Sequence, residues 1–213
     1  MTAIGTPQFV TQEIMELCQR LNPTARPVFL RITPEPNCEP DDCFASVRRK
    51  VDVEGGRIQF GWAIWEWPRV FIEAEHHAVY EPPRGRPWVD ISPSDRPDVS
   101  RRLFLPDDTA AYDFDNEGIR RDNLREALVD DPLVRELFRL AGERNAIPGI
   151  GMIAVEGDVA ERFQQNLEQA VMVELHLGMK YTPQNAPCFC GSGRRFKRCH
   201  GLPLRADRVI NRA

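Results

Sequence analysis

Three of the six cysteines lie close to a histidine near the end of the chain, in the order Cys188-Phe-Cys190, eight further residues, then Cys199-His200. Zinc prefers four nitrogen or sulfur ligands at the corners of a tetrahedron, and three thiolates with one imidazole are a common structural set. The Gly-Ser-Gly that follows Cys190 lets the chain turn back sharply, because glycine adopts positive φ angles without strain. The sequence therefore predicts a structural zinc knuckle whose ligands are Cys188, Cys190, Cys199 and His200.

The predicted knuckle is short and locally basic. From Pro187 to Ala213 the chain holds seven Arg or Lys residues against the single acid Asp207, although the whole protein carries a net charge of −4. A segment of this size has too little core to fold alone, so bound metal would supply on the order of 10 kcal/mol of folding free energy. Side chains fill all four coordination positions, which argues against catalysis at the metal. A redox-active or accidental cysteine cluster is the alternative, but it explains neither the glycines nor the histidine.

The spacing Cys-x-Cys-x8-Cys-His, with Gly-Ser-Gly and then basic and aromatic residues between the pairs, resembles the SEC-C motif. This motif is the small metal-binding element at the C-terminus of SecA translocase motors and at the end of many unrelated proteins. Phe189 stands where the family usually has proline, and the resemblance covers only about residues 187–202. It implies zinc binding and a docking role, since the SecA element contacts the chaperone SecB and the ribosome. We therefore expect a protein partner for the knuckle, with the ribosome or RNA as alternatives.

A second set of chemically active residues, Cys43, His77 and Asp90, lies in the first half of the chain. Cys43 opens a predicted helix, whose positive end favours the thiolate, although the acids just before it act in the opposite sense. A β-turn over residues 82–85 would place Asp90 directly opposite His77 on neighbouring strands, with Cβ atoms about 5 Å apart. A cysteine nucleophile, a histidine base and an orienting aspartate are the arrangement found in thiol hydrolases.

The same order of elements resembles the papain-like and transglutaminase-like superfamilies over about residues 37–91. In these families a cysteine that opens a helix precedes a strand of the type His77-Ala78-Val79, which is followed by an orienting polar residue, here Asp90. The resemblance implies that Asn37, six positions before the nucleophile, stands in for the glutamine that stabilises the oxyanion. Phe44 matches the aromatic residue that follows the nucleophile. The implied activity is cleavage or transfer at amide or peptide bonds.

These residues are equally consistent with a body that has no enzymatic activity. Cys43 is then a small buried hydrophobic residue, as lone cysteines often are. His77 is then a hydrogen-bonded strand histidine, and Asp90 is a surface acid beside a turn. His76 competes with His77 as a base but points to the opposite face of the sheet, because side chains alternate along a strand. The sequence therefore leaves open whether the body is an enzyme or a non-catalytic adaptor.

Periodicity places these residues in an α+β fold. Helices are predicted at residues 7–21, after Asp42 up to Gly55-Gly56, twice between Arg120 and Arg144, and at 159–177. Strands are predicted at residues 57–67, 70–80 and 87–91. We expect a helix and an antiparallel sheet with a papain- or transglutaminase-like core, followed by helices, in a body of residues 1–181. Residues 182–213 then form a hinge and the knuckle.

Composition and termini exclude several classes of protein. Hydrophobic residues make up 42% and charged residues 28% of the chain, which is the balance of a globular protein. No stretch approaches the roughly 18 apolar residues of a membrane span. The N-terminus has neither the basic start nor the apolar run of a secretory signal. We therefore expect a cytoplasmic protein without a membrane partner, in a reducing compartment where metal binding is favoured over disulfides.

Overall fold

The computed structural model describes residues 4–39, 42–94, 99–116, 121–146 and 157–202. Within these ranges the helices are α1 (Gln12–Leu21), α2 (Cys43–Glu54), α3 (Pro132–Asn145) and α4 (Asp158–Tyr181). The strands are β1 (Val28–Arg31), β2 (Arg57–Trp67), β3 (Phe71–Glu81), β4 (Arg101–Pro106) and β5 (Leu124–Ala127). Helices combined with an antiparallel sheet confirm the α+β class.

The described strands form one antiparallel sheet in the order β1-β4-β2-β3-β5. β2 and β3 make its longest pair, from Arg57 opposite Glu81 to Trp67 opposite Phe71. Both strands are rich in aromatic and β-branched residues, which suit a pleated and buried surface. The two strands predicted at residues 57–67 and 70–80 are thus confirmed as β2 and β3. β1 and β4 were not predicted, and β1 lies within a stretch that proline content marks as irregular.

Residues 89–91 join the two sides of this sheet. Val89 pairs with Tyr80 near the end of β3, and Asp90 pairs in parallel with Ile32, directly after β1. Because β4 and β2 lie between β1 and β3, the segment closes these four strands into a ring. The strand predicted at residues 87–91 is therefore wrong in extent, since the residues that the structure describes form only two bridges there. The ring has an outer face and an interior, and the Asp90 side chain lies in the interior.

α1 and α2 cover the outer face of the ring side by side. Ile14 and Cys18 of α1 pack with Trp62 of β2. Phe44 of α2 packs on the same face against His76, with 4.7 Å between the ring centroids. α3 and α4 pack on each other and on the turn between β2 and β3. The first residue of α2 is thereby brought against the middle of β3.

Only one of the two helices predicted between Arg120 and Arg144 exists in the described chain. Residues 124–127 form β5, which pairs with residues 71–74 of β3, and Arg120 lies outside the described residues. The edge of β3 offers unpaired backbone groups there, and pairing with them outweighs a local helix preference. α3 begins after Asp131, whose side chain accepts a hydrogen bond from the Leu133 amide as an N-cap.

α4 is longer than predicted, and its apolar residues are not all buried. Ala170 packs in the core between α3 and α4. Leu167 and Val171, which lie on the same helix, are 39% and 41% exposed. α4 therefore turns only one side of its apolar surface toward α3. The other side forms an apolar row open to solvent.

Candidate metal centre and a buried thiol–imidazole cluster

The C-terminal knuckle is a tight hairpin followed by one turn of 3-10 helix. The backbone amide of Cys188 donates a hydrogen bond to the Arg194 carbonyl at 2.8 Å, which closes the hairpin. Within it, Gly191 and Gly193 have φ angles of 76° and 70°. Only glycine adopts such angles without strain, which explains the Gly-Ser-Gly sequence. The 3-10 turn at residues 196–198 then returns the chain to the hairpin.

The four predicted metal ligands meet at one point. Cys188 Sγ lies 3.3 Å from His200 Nδ1, and Cys190 Sγ lies 3.7 Å from Cys199 Sγ. Cys199 Sγ lies 3.5 Å from His200 Nδ1, and all four ligand atoms are within 4.8 Å of one another. In a tetrahedral zinc site with bonds of about 2.0–2.3 Å, neighbouring ligand atoms are about 3.3–3.8 Å apart. The three separations given above therefore match the spacing of ligand atoms around a tetrahedral metal ion.

Hydrogen bonds and charge favour the thiolate form of Cys190, whereas burial raises the pKa of Cys188. The Ser192 side chain, helped by its backbone amide and opposed by burial, lowers the pKa of Cys190 to about 6. Ser192 Oγ also lies 3.5 Å from Cys199 Sγ. Arg194 and Arg195 are exposed beside the hairpin and add positive potential near the sulfurs. Metal ligation requires deprotonated thiols, so the cluster is arranged for a cation.

The knuckle rests on the last turns of α4. Phe189 is only 3% exposed and packs in one apolar cluster with Leu175 and Met179 of the helix. Gly178 permits this approach, because a Cβ built there would lie 2.5 Å from Phe189 Cγ. The predicted hinge at residues 182–187 therefore leads into a segment that folds back on the helix before it.

Cys43, His77 and Asp90 come together in the body. Cys43 is the first residue of α2, and all three residues are buried. His77 Nε2 lies 3.2 Å from Asp90 Oδ2, and the His77 side chain also forms a hydrogen bond with Cys43. Burial lowers the pKa of His77, but charge and hydrogen bonding from Cys43 and Asp90 raise it to about 10. The histidine thus interacts with both a thiol and a carboxylate.

The strand register that creates this contact differs from the predicted one by two residues. The turn after β3 has positive φ at two consecutive residues, 67° at Arg84 and 66° at Gly85, and Tyr80 pairs with Val89. Turns with two positive φ angles match the twist of paired strands, whereas the predicted type I turn does not. A shift of two residues keeps every side chain on its original face. Asp90 therefore still reaches the histidine, diagonally rather than from directly opposite.

Arg102 of β4 is a member of the cluster that the sequence did not single out. Its Nε lies 3.0 Å from Asp90 Oδ2, and its Nη1 lies 3.2 Å from His77 Nε2. The Nε contact is an ion pair without hydrogen-bond alignment. The guanidinium also lies over the Trp65 ring, 5.1 Å from its centroid. An arginine directly before the apolar run Leu103-Phe104-Leu105 would have been the signal, but strand β4 itself was not predicted.

Two other residues lie away from the cluster. Asn37 is exposed, and its carbonyl accepts a hydrogen bond from Arg49 at 3.2 Å. In the described part of the chain its side chain forms no hydrogen bond with Cys43 or His77. His76 points to the outer face, as predicted, with Nε2 2.6 Å from the Ala110 carbonyl oxygen. His77 is therefore the histidine that faces the aspartate.

These features define an α+β protein with a Cys3His metal-binding knuckle, and comparison identifies the knuckle. The SEC-C motif family model matches residues 185–202. Protein translocase subunit SecA 1 of Thermobifida fusca is 68% identical over 22 residues, and protein translocase subunit SecA of Frankia casuarinae is 67% identical over 24 residues. These matches cover 10% and 11% of this chain and 2% of each SecA. The protein thus carries a SEC-C motif at residues 185–202.

No solved structure matches the chain, so the papain- or transglutaminase-like core stays a prediction. Among the described helices, none is long and apolar enough to cross a membrane.

Proposed function

We propose that the protein binds zinc through Cys188, Cys190, Cys199 and His200, and that the ordered knuckle docks a protein partner. The observation that carries this proposal is the convergence of the four ligand atoms, which all lie within 4.8 Å of one another. Three thiolates and an imidazole suit zinc better than the hard divalent cations. Because side chains supply all four ligands, the role of the ion is structural.

Metal analysis of the purified chain tests the zinc site. We expect about one zinc ion per chain, as a closed four-ligand site requires. Cys199→Ser should lose the metal, whereas Cys38→Ser, which changes a cysteine outside the knuckle, should keep it. A chelator should raise hydrogen exchange throughout residues 185–202, because metal binding supplies the folding free energy of the knuckle. A metal-free chain with a fully protected knuckle would contradict the proposal.

The docking role is supported by the motif and by the exposed surface of the knuckle. The two relatives that share the motif are protein translocase subunits. Here the knuckle presents Arg194, Arg195 and Arg198 to solvent. We propose that residues 1–181 form a body that carries the docking element of residues 182–213. A cytoplasmic location would keep the thiols reduced and available for metal.

Attachment to RNA or the ribosome through the same arginines is the alternative for the knuckle. Binding to phosphates releases counterions, so it weakens steeply with salt. A labelled poly-U oligonucleotide titrated at about 50 and 200 mM salt distinguishes the two, because several phosphate contacts lose more than tenfold in affinity over this range. If the oligonucleotide does not bind at the lower salt concentration, RNA is ruled out and a protein is the partner of the knuckle.

A second candidate function is amide or peptide bond hydrolysis by the body. It is favoured by the 3.2 Å contact between His77 Nε2 and Asp90 Oδ2 and by the hydrogen bond between His77 and Cys43. Cys43 Sγ would attack the substrate carbonyl while His77 takes the thiol proton and passes it to the leaving amine. Water then cleaves the thioester and releases the acid, and Asp90 holds the imidazole throughout. Asn37 would stabilise the oxyanion only after its exposed side chain turned toward the thiol.

Thiol alkylation tests this second function. We expect Cys43 to react with iodoacetamide at pH 7 at least about tenfold faster than Cys38, since thiolate rather than thiol is the nucleophile. Cys38 is the internal comparison, because it is free and more exposed than Cys43. His77→Ala should abolish the excess rate. If Cys43 reacts more slowly than Cys38, the buried thiol is inert and the body is an adaptor.

A further inference from the structure

A cavity of about 510 Å³ lies between α4 and the knuckle. Apolar and cationic side chains line it, namely Leu175, His176, Met179, Arg194, Arg198 and Leu202. A volume of this size accommodates a few large side chains. Two metal ligands, Cys199 and His200, also border the cavity, so its shape depends on the metal-ordered knuckle.

An exposed apolar row on α4 leads into this cavity. Leu167 and Val171 are 39% and 41% exposed, and they precede Leu175 and Met179 at intervals of four residues. Residues four apart lie on the same side of a helix. At 1.5 Å per residue the row is about 18 Å long. A row of this length beside a cavity suits an amphipathic helix that binds in a groove.

The charges around the cavity restrict the partner further. Arg194 and Arg198 are exposed, and none of the described residues that line the cavity is acidic. Neither arginine forms a salt bridge within the part of the chain that the structure describes. Carboxylates of a partner would therefore complement this end of the row, whereas a basic partner would be repelled.

We propose that this groove, formed by the α4 row and the cavity, binds an acidic amphipathic helix of a partner protein. Large apolar side chains of that helix lie along Leu167, Val171 and Met179, and its carboxylates pair with Arg194 and Arg198. The proposal rests on the docking function proposed above and specifies the chemistry of the partner. A second copy of the chain, residues 203–213 of the same chain and RNA are the competing occupants.

Selection from a display library of random peptides of about 16 residues, long enough to follow the row as a helix, tests the proposal on the zinc-loaded full chain. Enriched peptides should carry Asp or Glu together with large apolar residues four apart. They should bind Met179→Glu and Arg198→Glu at least about tenfold more weakly, as expected when a central contact is removed. Val53→Glu, at a residue that is 84% exposed on α2, and Arg86→Glu are the matched controls and should bind normally. All variants must first show the zinc content and thermal unfolding of the wild type.

Several results would contradict the proposal that the groove binds an acidic helix. Peptides that bind Met179→Glu normally but lose binding on chelation would place docking elsewhere on the knuckle, and the docking function would stand. No enrichment, or binding insensitive to chelation and to every knuckle variant, would remove the docking function as well. Enrichment of basic peptides would contradict the charge argument.

The competing occupants have their own signatures, each of which also overturns the proposal. Concentration-dependent dimers that Met179→Glu abolishes would assign the groove to a second copy. Peptide binding that appears only in a chain ending at Leu202 would assign it to residues 203–213. RNA would be the occupant if no peptide is enriched and the chain binds poly-U. In that case Arg198→Glu should abolish poly-U binding, and Met179→Glu should leave it intact.

Discussion

A single methyl group tests whether the knuckle rests on α4. Gly178→Ala would place a Cβ 2.5 Å from Cγ and 2.6 Å from Cδ2 of Phe189. Non-bonded carbon atoms prefer separations of about 3.5–4.0 Å. Phe189 is 3% exposed and is packed against Phe196 and α4, so its ring yields only if the knuckle moves. The substitution should therefore push the knuckle away from the helix.

The magnitude follows from two opposing effects. Alanine is about 1 kcal/mol better than glycine inside a helix, and this gain is the same whether or not the knuckle is docked. Overpacking costs about 1–3 kcal/mol and acts only in the docked state. The docking equilibrium should weaken by that amount, which is about 5- to 150-fold. Gly142→Ala in α3 is the matched control, because its Cβ would meet only Asp122 Oδ2, at 3.7 Å.

Hydrogen exchange of the zinc-loaded chain, read by mass spectrometry, measures the effect. Gly178→Ala should speed exchange of the last turns of α4 and of residues 182–190, while the sheet stays as protected as in the wild type. Gly142→Ala should leave exchange in these regions unchanged and raise the thermal midpoint, since only the gain in helix propensity remains. If Gly178→Ala also raises the thermal midpoint and leaves exchange unchanged, the knuckle does not rest on the helix and our account of the contact is wrong.

Two further predictions concern buried charges. Asp131→Asn keeps a good N-cap but removes the carboxylate that accepts hydrogen bonds from Lys180 Nζ at 2.6 Å and Tyr181 Oη at 2.7 Å. It should lower the free energy of unfolding by about 1–2 kcal/mol in urea at pH 7. Lys180 and Tyr181 lower the pKa of Asp131 from 3.8 to about 2. The extra stability of the wild type over the variant should therefore be present above about pH 4 and disappear as the pH falls toward 2. A stability difference that stays constant with pH would refute this prediction. Arg102→Met should cost about 3–5 kcal/mol, because it leaves the Asp90 carboxylate buried without its guanidinium. The double variant with Asp90→Asn should recover part of that loss in a thermodynamic cycle, and strict additivity would show that the pair does not interact.

The metal site was predictable from the sequence because all its ligands lie in one short segment. The tight turn at Gly191 and Gly193 and the 3-10 turn before Cys199 depend on residues only a few positions away. Tetrahedral coordination then specifies the ligand geometry whatever the body does. The position of Cys43 at a helix start and of His77 on a strand was predictable for the same reason, since periodicity and capping are local signals.

The remaining features depend on contacts between distant parts of the chain. Arg102 reaches the aspartate because residues 89–91 close the sheet into a ring, and β5 is a strand because the edge of β3 is open beside it. Likewise, the apolar row on α4 becomes a groove only because the knuckle folds back over Gly178. Such pairings bring together residues far apart in sequence, and no local pattern encodes them. The sequence by itself thus determined which residues are the candidate metal ligands, and the tertiary structure decided what surrounds them and which surface they leave open.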